Sequence, residues 1–185
     1  MAHQVCPWWI GYVLASPIRR LWQQPRSLLG PYVTAGMTVL EPGPGMGFFT
    51  LELARLVGPA GRVVAVDVQP RMLSGLRRRA RRAGLLERID TRQAGENGMG
   101  IGDLAGRVDF ALAFAMVHEV SDAARFLNEV ATALKSGSRL LLAEPRGHVS
   151  TADFAATLDA AARAGFAAEA RPVIRRSHAA VLVRR

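Results

Sequence analysis

The stretch that decides the fold is Val39-Leu40-Glu41-Pro42-Gly43-Pro44-Gly45-Met46-Gly47-Phe48. Apolar residues run into an acid, three glycines alternate with other residues, and an aromatic follows. The order reads as a β-strand, a glycine-rich turn and a helix that starts near Phe48. Glycine permits positive φ and close backbone approach, and a helix N-terminus presents unpaired N–H donors to an anionic group. The dinucleotide fingerprint Gly-x-Gly-x-x-Gly does not fit, because from Gly43 it would need glycine where Phe48 stands. The spacing is instead Gly-x-Gly-x-Gly behind an acid. Asp67 ends the next apolar run, 20 positions beyond Gly47, where its carboxylate is placed to accept hydrogen bonds from a ribose diol.

Outward from this loop, strand-length apolar runs alternate with helical patterns. The first strand is Thr38 to Leu40, and its helix stops at Gly58-Pro59. Arg62 to Val66 follows. Pro70 then suits the first turn of a helix reaching about Ala83, with Met72, Leu73, Leu76, Ala80 and Ala83 as its apolar face and Gly84 as its stop. Ile89 to Gln93 is the third strand, before an irregular stretch from Gly95 to Gly102. Val108 to Ala113 reads as a buried strand, and Asp122 can cap the helix reaching Leu134. Ser138 to Ala143 is another apolar strand, ending at Glu144-Pro145. Thr151-Ala152-Asp153 opens a helix that ends at Gly165, and Phe166 to Ala170 and Ala179 to Val183 close the chain as strands. The alternation predicts an α/β sheet, mostly parallel, with helices on both faces. In such sheets ligands lie outside the carboxyl ends of the strands.

Composition narrows the function classes. A length of 185 residues suits one domain. Pro7 to Ile18 falls short of the roughly 20 apolar residues that span a bilayer, and Met1 to Val5 lacks the basic residues of a signal peptide. A cytoplasmic protein with no membrane partner is expected. Cys6 is the only cysteine, which excludes an internal disulfide and a thiolate metal cage. The net charge of +9 raises nucleic acid as a partner. Nearly all of that charge is arginine, since Lys135 is the sole lysine. The densest run, Arg77 to Arg79 with Arg81 and Arg82, sits opposite the apolar face of its helix and reads as a solvated surface.

At these residues the sequence resembles the class I S-adenosylmethionine-dependent methyltransferases. Their first motif, acid-x-Gly-x-Gly-x-Gly, is matched by Glu41, Gly43, Gly45 and Gly47, with Pro44 inside it. The resemblance implies that this loop wraps the methionine end of S-adenosylmethionine, that Asp67 holds the ribose hydroxyls and that Val68 packs on adenine. Ala94-Gly95-Glu96 is a loose match to the motif that places an acid near the adenine amine. Asp109 to Ala115 looks like the fourth motif, with Phe114 and Ala115 bordering the cofactor. Lys135 to Arg139 resembles the turn before the fifth strand. The implied fold is Rossmann-like, a seven-stranded sheet in the order 3-2-1-4-5-7-6 with the last strand antiparallel. The implied product is S-adenosylhomocysteine.

Methyl transfer from a sulfonium is an in-line displacement, so holding nucleophile and methyl in line supplies much of the acceleration. A general base helps only when the acceptor must lose a proton. The catalytic candidates are His118 and Glu119, in Met116-Val117-His118-Glu119-Val120, and Glu144. Histidine titrates near neutrality. The alternative is that all three brace the local backbone. His148, in Pro145-Arg146-Gly147-His148, reads as a surface residue. His118 and Glu119 are adjacent and point apart, with no third ligand at useful spacing, so no metal site is expected.

Residues 1–37 form an N-terminal extension carrying Trp8, Trp9, Tyr12, Trp22 and Tyr32, either a lid over the acceptor or a cap on the core; residues 38–185 form the methyltransferase domain. The expected partner is a small-molecule acceptor, with RNA or protein as the less favoured substrate and a noncatalytic cofactor-binding module as a further alternative. The expected assembly is a monomer or homodimer.

Overall fold

In parallel sheets both faces of a strand are covered, and the burial of the first strand has that character. In the computed structural model, which describes residues 24–95 and 98–185, β1 (Thr38–Pro42) is buried at every position after Thr38. Most of the N-terminal extension, including Cys6, Trp8, Trp9, Tyr12 and Trp22, lies outside the described residues. The strands form one seven-stranded sheet in the order β3-β2-β1-β4-β5-β7-β6, as the sequence implied, with helices around it. The described chain divides into two compact units, residues 24–100 and 101–185.

In the first unit a short helix, α1 (Pro25–Leu29), precedes β1, and α2 (Thr50–Val57), β2 (Arg62–Asp67), α3 (Pro70–Arg82) and β3 (Ile89–Gln93) follow. The pairs β1–β2 and β2–β3 are parallel, with Glu41 opposite Ala65 and Asp67 opposite Gln93. Helix α2 begins two residues later than Phe48. Phe48 and Phe49 form a buried edge-to-face pair before it, their centroids 5.0 Å apart. The apolar face of α3 is Met72, Leu73, Leu76 and Ala80, all buried. Ala83, which the sequence pattern assigned to that face, is instead exposed at the C-cap, because Gly84 turns the chain with φ 66° one residue later.

In the second unit β4 (Val108–Phe114) is followed by α4 (Ala123–Ala133), β5 (Leu134–Pro145), α5 (Thr151–Arg163), β6 (Phe166–Ala170) and β7 (Ser177–Arg184). Asp122 caps α4, accepting from the Arg125 N–H at 2.9 Å, as its position suggested. Ser150 and Asp153 make a reciprocal capping box at the start of α5. β5 is parallel to β4 and antiparallel to β7, so β7 is the one strand that runs against its neighbours. β5 begins at Leu134, earlier than Ser138. Leu134 pairs with Val108 and Arg139 with Phe110, so the expected turn survives as a bulge between them. Lys135 pairs with the Asp109 carboxylate there. Leu140, Leu141 and Leu142 are fully buried, each worth about 2 kcal/mol of apolar burial. No helix among the described residues is long and apolar enough to cross a membrane.

Candidate functional site

Two clusters hold nearly all the residues singled out from the sequence, one in each unit. In the first, the chain leaves β1 at Glu41-Pro42 and turns through Gly43, Gly45 and Gly47, each with positive φ. Two of these glycines are required for different reasons. A Cβ on Gly47 (φ 84°) would sit 2.4 Å from Leu76 Cδ1, so this glycine lets α3 pack under the loop. A Cβ on Gly45 (φ 54°) would meet nothing within 4 Å, so this glycine bends the chain where there is open space. Pro44, between Gly43 and Gly45, is buried.

The Asp67 carboxylate braces that turn. Its Oδ2 accepts from the Gly45 N–H at 3.2 Å and its Oδ1 from the Gln69 N–H at 2.9 Å. Asp67 therefore fixes the loop, a role beyond the ribose contact expected from the sequence. Val68, beside it, is one of two large apolar side chains exposed among the described residues, at 53%. The Ala94 N–H donates to the Asp67 carbonyl at 3.0 Å, which holds the end of β3 against the end of β2. Gly95 is exposed and bridges to Gly98. Glu96 lies outside the described residues.

Glu41 is 3% exposed, and its Oε2 is buried without a hydrogen-bond partner. Burial pushes its carboxyl up to about 8, the Thr50 hydroxyl opposes the rise and the Asp67 charge adds to it. The hydroxyl's influence falls short of a formed bond, since Thr50 Oγ1 is itself buried and unpartnered. An orphaned carboxyl oxygen, open space beside Gly45 and an exposed apolar side chain next to the Asp67 carboxylate fit the chemistry of S-adenosylmethionine. The cofactor carries an ammonium, a ribose and an adenine.

Sequence reasoning missed two contributors in this unit. Thr50 was not singled out, and Arg79 was grouped with solvated arginines. The Arg79 guanidinium donates to the Met46 carbonyl in the loop. Arg77 likewise reaches Thr91 Oγ1 at 3.0 Å. The available signal for Arg79 was its position three residues after Leu76, which puts it on the side of α3 that meets the loop.

The second cluster follows β4 and β5. Ala115 has φ 56°, a strained value for a residue with a Cβ, and its N–H donates to the Ala143 carbonyl at 2.7 Å. Phe114 and Ala115 are half-buried. The chain then makes a single 3₁₀ turn over Val117–Glu119. Glu144, 1% exposed at the end of β5, accepts from the Met116 and Val117 N–H groups at 3.2 and 2.8 Å with Oε1, and Oε2 contacts His118 Nδ1. Nδ1–H is the donor in that contact, which leaves Nε2 as the acceptor nitrogen. The hydrogen bond to Glu144 raises the His118 pKa above its ordinary value, partial burial opposes the rise, and the Glu144 and Glu119 charges add to it. Glu119 Oε1 lies 4.0 Å from His118 Nε2. His148, read from sequence as a surface residue, has its ring centroid 5.6 Å from that of His118.

A family profile described as a methyltransferase domain matches residues 33–172. The Ubiquinone/menaquinone biosynthesis C-methyltransferase UbiE of Pasteurella multocida is 30% identical over 132 residues, 71% of this chain and 48% of that protein. The protein of the same name from Hahella chejuensis is 31% identical over 132 residues, 71% of this chain and 52% of that protein. The chain spans about half the length of these curated relatives. Among solved structures, a SAM dependent methyltransferase from Aquifex aeolicus aligns with a TM-score of 0.85 at 24% identity, covering 97% of this chain and 98% of that one.

Proposed function

The chain belongs to the class I S-adenosylmethionine-dependent methyltransferases, and on that premise we propose that it transfers the sulfonium methyl group to a small organic acceptor that loses a proton in the process. The observation that carries the cofactor half is the open turn at Gly45, braced by Asp67 and backed by the unpartnered Oε2 of Glu41. In this reading the loop N–H groups and Glu41 hold the methionine end. Asp67 reads the ribose, and Val68 with Ala94 and Gly95 flanks the adenine. The cofactor supplies an electrophilic methyl carbon. The protein's own task is to hold an acceptor in line with it and to manage the acceptor's proton.

For that proton, His118 Nε2 is the acceptor and Glu144 the positioning residue. At 1% exposure Glu144 is sealed from any substrate, and it acts by orienting the imidazole and supporting its positive charge. Glu119 is a secondary influence on Nε2 rather than a second base. The relatives' names, C-methyltransferases of quinone biosynthesis, make a ring carbon beside a hydroxyl the first acceptor to try. Such a carbon becomes nucleophilic when the hydroxyl is deprotonated. The cytoplasmic location expected from sequence belongs to the same reading.

Two experiments test the halves separately. Calorimetry with S-adenosylhomocysteine should show saturable binding that Asp67→Ala weakens by roughly 10- to 100-fold, the worth of one or two charge-assisted hydrogen bonds. An acceptor panel scored by S-adenosylhomocysteine release should show turnover with hydroxylated rings and none with acceptors that have no proton to lose. Turnover confined to RNA or protein would replace the small-molecule reading. Binding without turnover on any acceptor would support a noncatalytic cofactor-binding module.

A further inference from the structure

The connection from β6 to β7, residues 171–176, is Arg171-Pro172-Val173-Ile174-Arg175-Arg176. It is anchored from within: Ile174 is buried, the Ser177 N–H donates to the Ile174 carbonyl at 3.0 Å, and the Arg146 N–H donates to the Arg176 carbonyl at 3.0 Å. Arg176 holds φ 62°, one of two positive φ values outside glycine among the described residues, which costs the fold energy. The anchored loop presents Val173 with its whole surface in solvent, 100% exposed. Around it stand the exposed residues Arg146, Arg171, Arg175 and Arg176. Among the described residues none of these four is paired with a carboxylate, although Arg146 Nε donates to the Ser177 carbonyl at 3.2 Å and the Arg171 guanidinium lies 5.9 Å from the Phe154 ring centroid. The nearby acids are engaged elsewhere, Glu169 with Arg139 and Asp153 with Ser150.

A lone exposed valine is ordinary, and arginines without a carboxylate partner would alone suit any anion. Their combination is more selective. A soluble phosphate or a nucleic-acid backbone gains nothing from a valine held at the tip of a rigid loop. At a bilayer surface guanidinium groups sit among anionic headgroups while a short apolar side chain enters the acyl boundary. We infer that residues 171–176, with Arg146, form a docking surface for an anionic phospholipid bilayer. The apolar contribution is small, so binding is reversible and salt-sensitive. The inference does not depend on the methyl-transfer reading.

The test is co-sedimentation of the full chain with phosphatidylglycerol vesicles and, in parallel, phosphatidylcholine vesicles, at low and high salt. Binding is expected on phosphatidylglycerol alone, and it should be lost at high salt. Arg175→Ala with Arg176→Ala should weaken it about 30-fold, at roughly fivefold per arginine near an anionic surface. The same double change at the exposed Arg81 and Arg82 should have a much smaller effect, which separates this loop from the general excess of positive charge. Val173→Ser should weaken binding severalfold, and Val173→Trp should tighten it. All these side chains are exposed, and unchanged melting temperatures confirm intact folds. Failure to sediment with phosphatidylglycerol overturns the proposal. So does a Val173 series without effect, which would leave the arginines to a soluble anion or a nucleic acid.

Discussion

Two strands of this molecule end in Glu-Pro, and the two glutamates have opposite fates. Glu41-Pro42 ends β1 and Glu144-Pro145 ends β5, with both carboxylates almost wholly buried, 3% and 1% exposed. Glu144 has two backbone N–H donors and an imidazole. Glu41 has a buried oxygen with no partner and a carboxyl pushed up to about 8 by desolvation. A buried charge needs partners, and where the chain does not supply them the group stays neutral or waits for a cation. The contrast separates a carboxylate that organises its own neighbourhood from one that, in the proposed reading, takes its partner from the cofactor.

The sharpest way to break that comparison is to delete the satisfied partner. Glu144→Ala strands two buried N–H groups and the imidazole, and should cost about 3–5 kcal/mol in denaturant unfolding. Gly47→Ala comes next. It forces a Cβ against Leu76 at a positive φ, and a loss of about 2–3 kcal/mol together with loss of cofactor binding is expected.

Glu41→Gln should do the reverse of Glu144→Ala. Because the folded-state pKa of Glu41 lies above its unfolded value, its ionisation opposes folding. The stability that its neutral form preserves is present below about pH 4.5 and is lost as pH rises towards 8. The glutamine variant should therefore melt higher than the parent at pH 8, by a margin that shrinks towards pH 4.5. It should also bind S-adenosylmethionine more weakly. Equal melting curves across that range would show that Glu41 has a partner in solution.

A fourth change reads His118 through Glu144. With its pKa raised above the ordinary histidine value, the imidazole becomes free to accept a proton only as pH climbs past that raised value, so turnover should rise with pH there. Glu144→Gln removes the charge that lifts it and should move this limb to lower pH, an effect that loss of structure alone would not produce. The smallest expected effect is at Ala115. Val in its place should cost roughly 1–2 kcal/mol against φ 56°, while Gly should be neutral within about 1 kcal/mol.

The same contrast explains what the sequence made legible. The Glu41 cluster is contiguous: acid, glycines and helix start lie within ten residues, and Asp67 closes the adjacent strand, so spacing alone exposed it. The strand order followed from the resemblance, and the strand and helix positions followed from the alternation of apolar runs with glycine and proline stops. The Glu144 cluster joins residues 26 positions apart across two strand ends, and only the β4–β5 register brings His118 onto Glu144. That is why the sequence offered His118 and Glu144 as separate candidates, while the surface position read for His148 agrees with its exposure. Arg79 and Thr50 were hidden for a different reason, since their significance depends on how α3 and α2 pack against the loop.

In the proposed reading the turn from Glu41 to Gly47 binds S-adenosylmethionine. Titration calorimetry of the parent chain with S-adenosylmethionine tests it most directly. A saturable one-to-one isotherm that Asp67→Ala largely removes is expected. No heat at millimolar cofactor, or an isotherm that Asp67→Ala leaves intact, would contradict it.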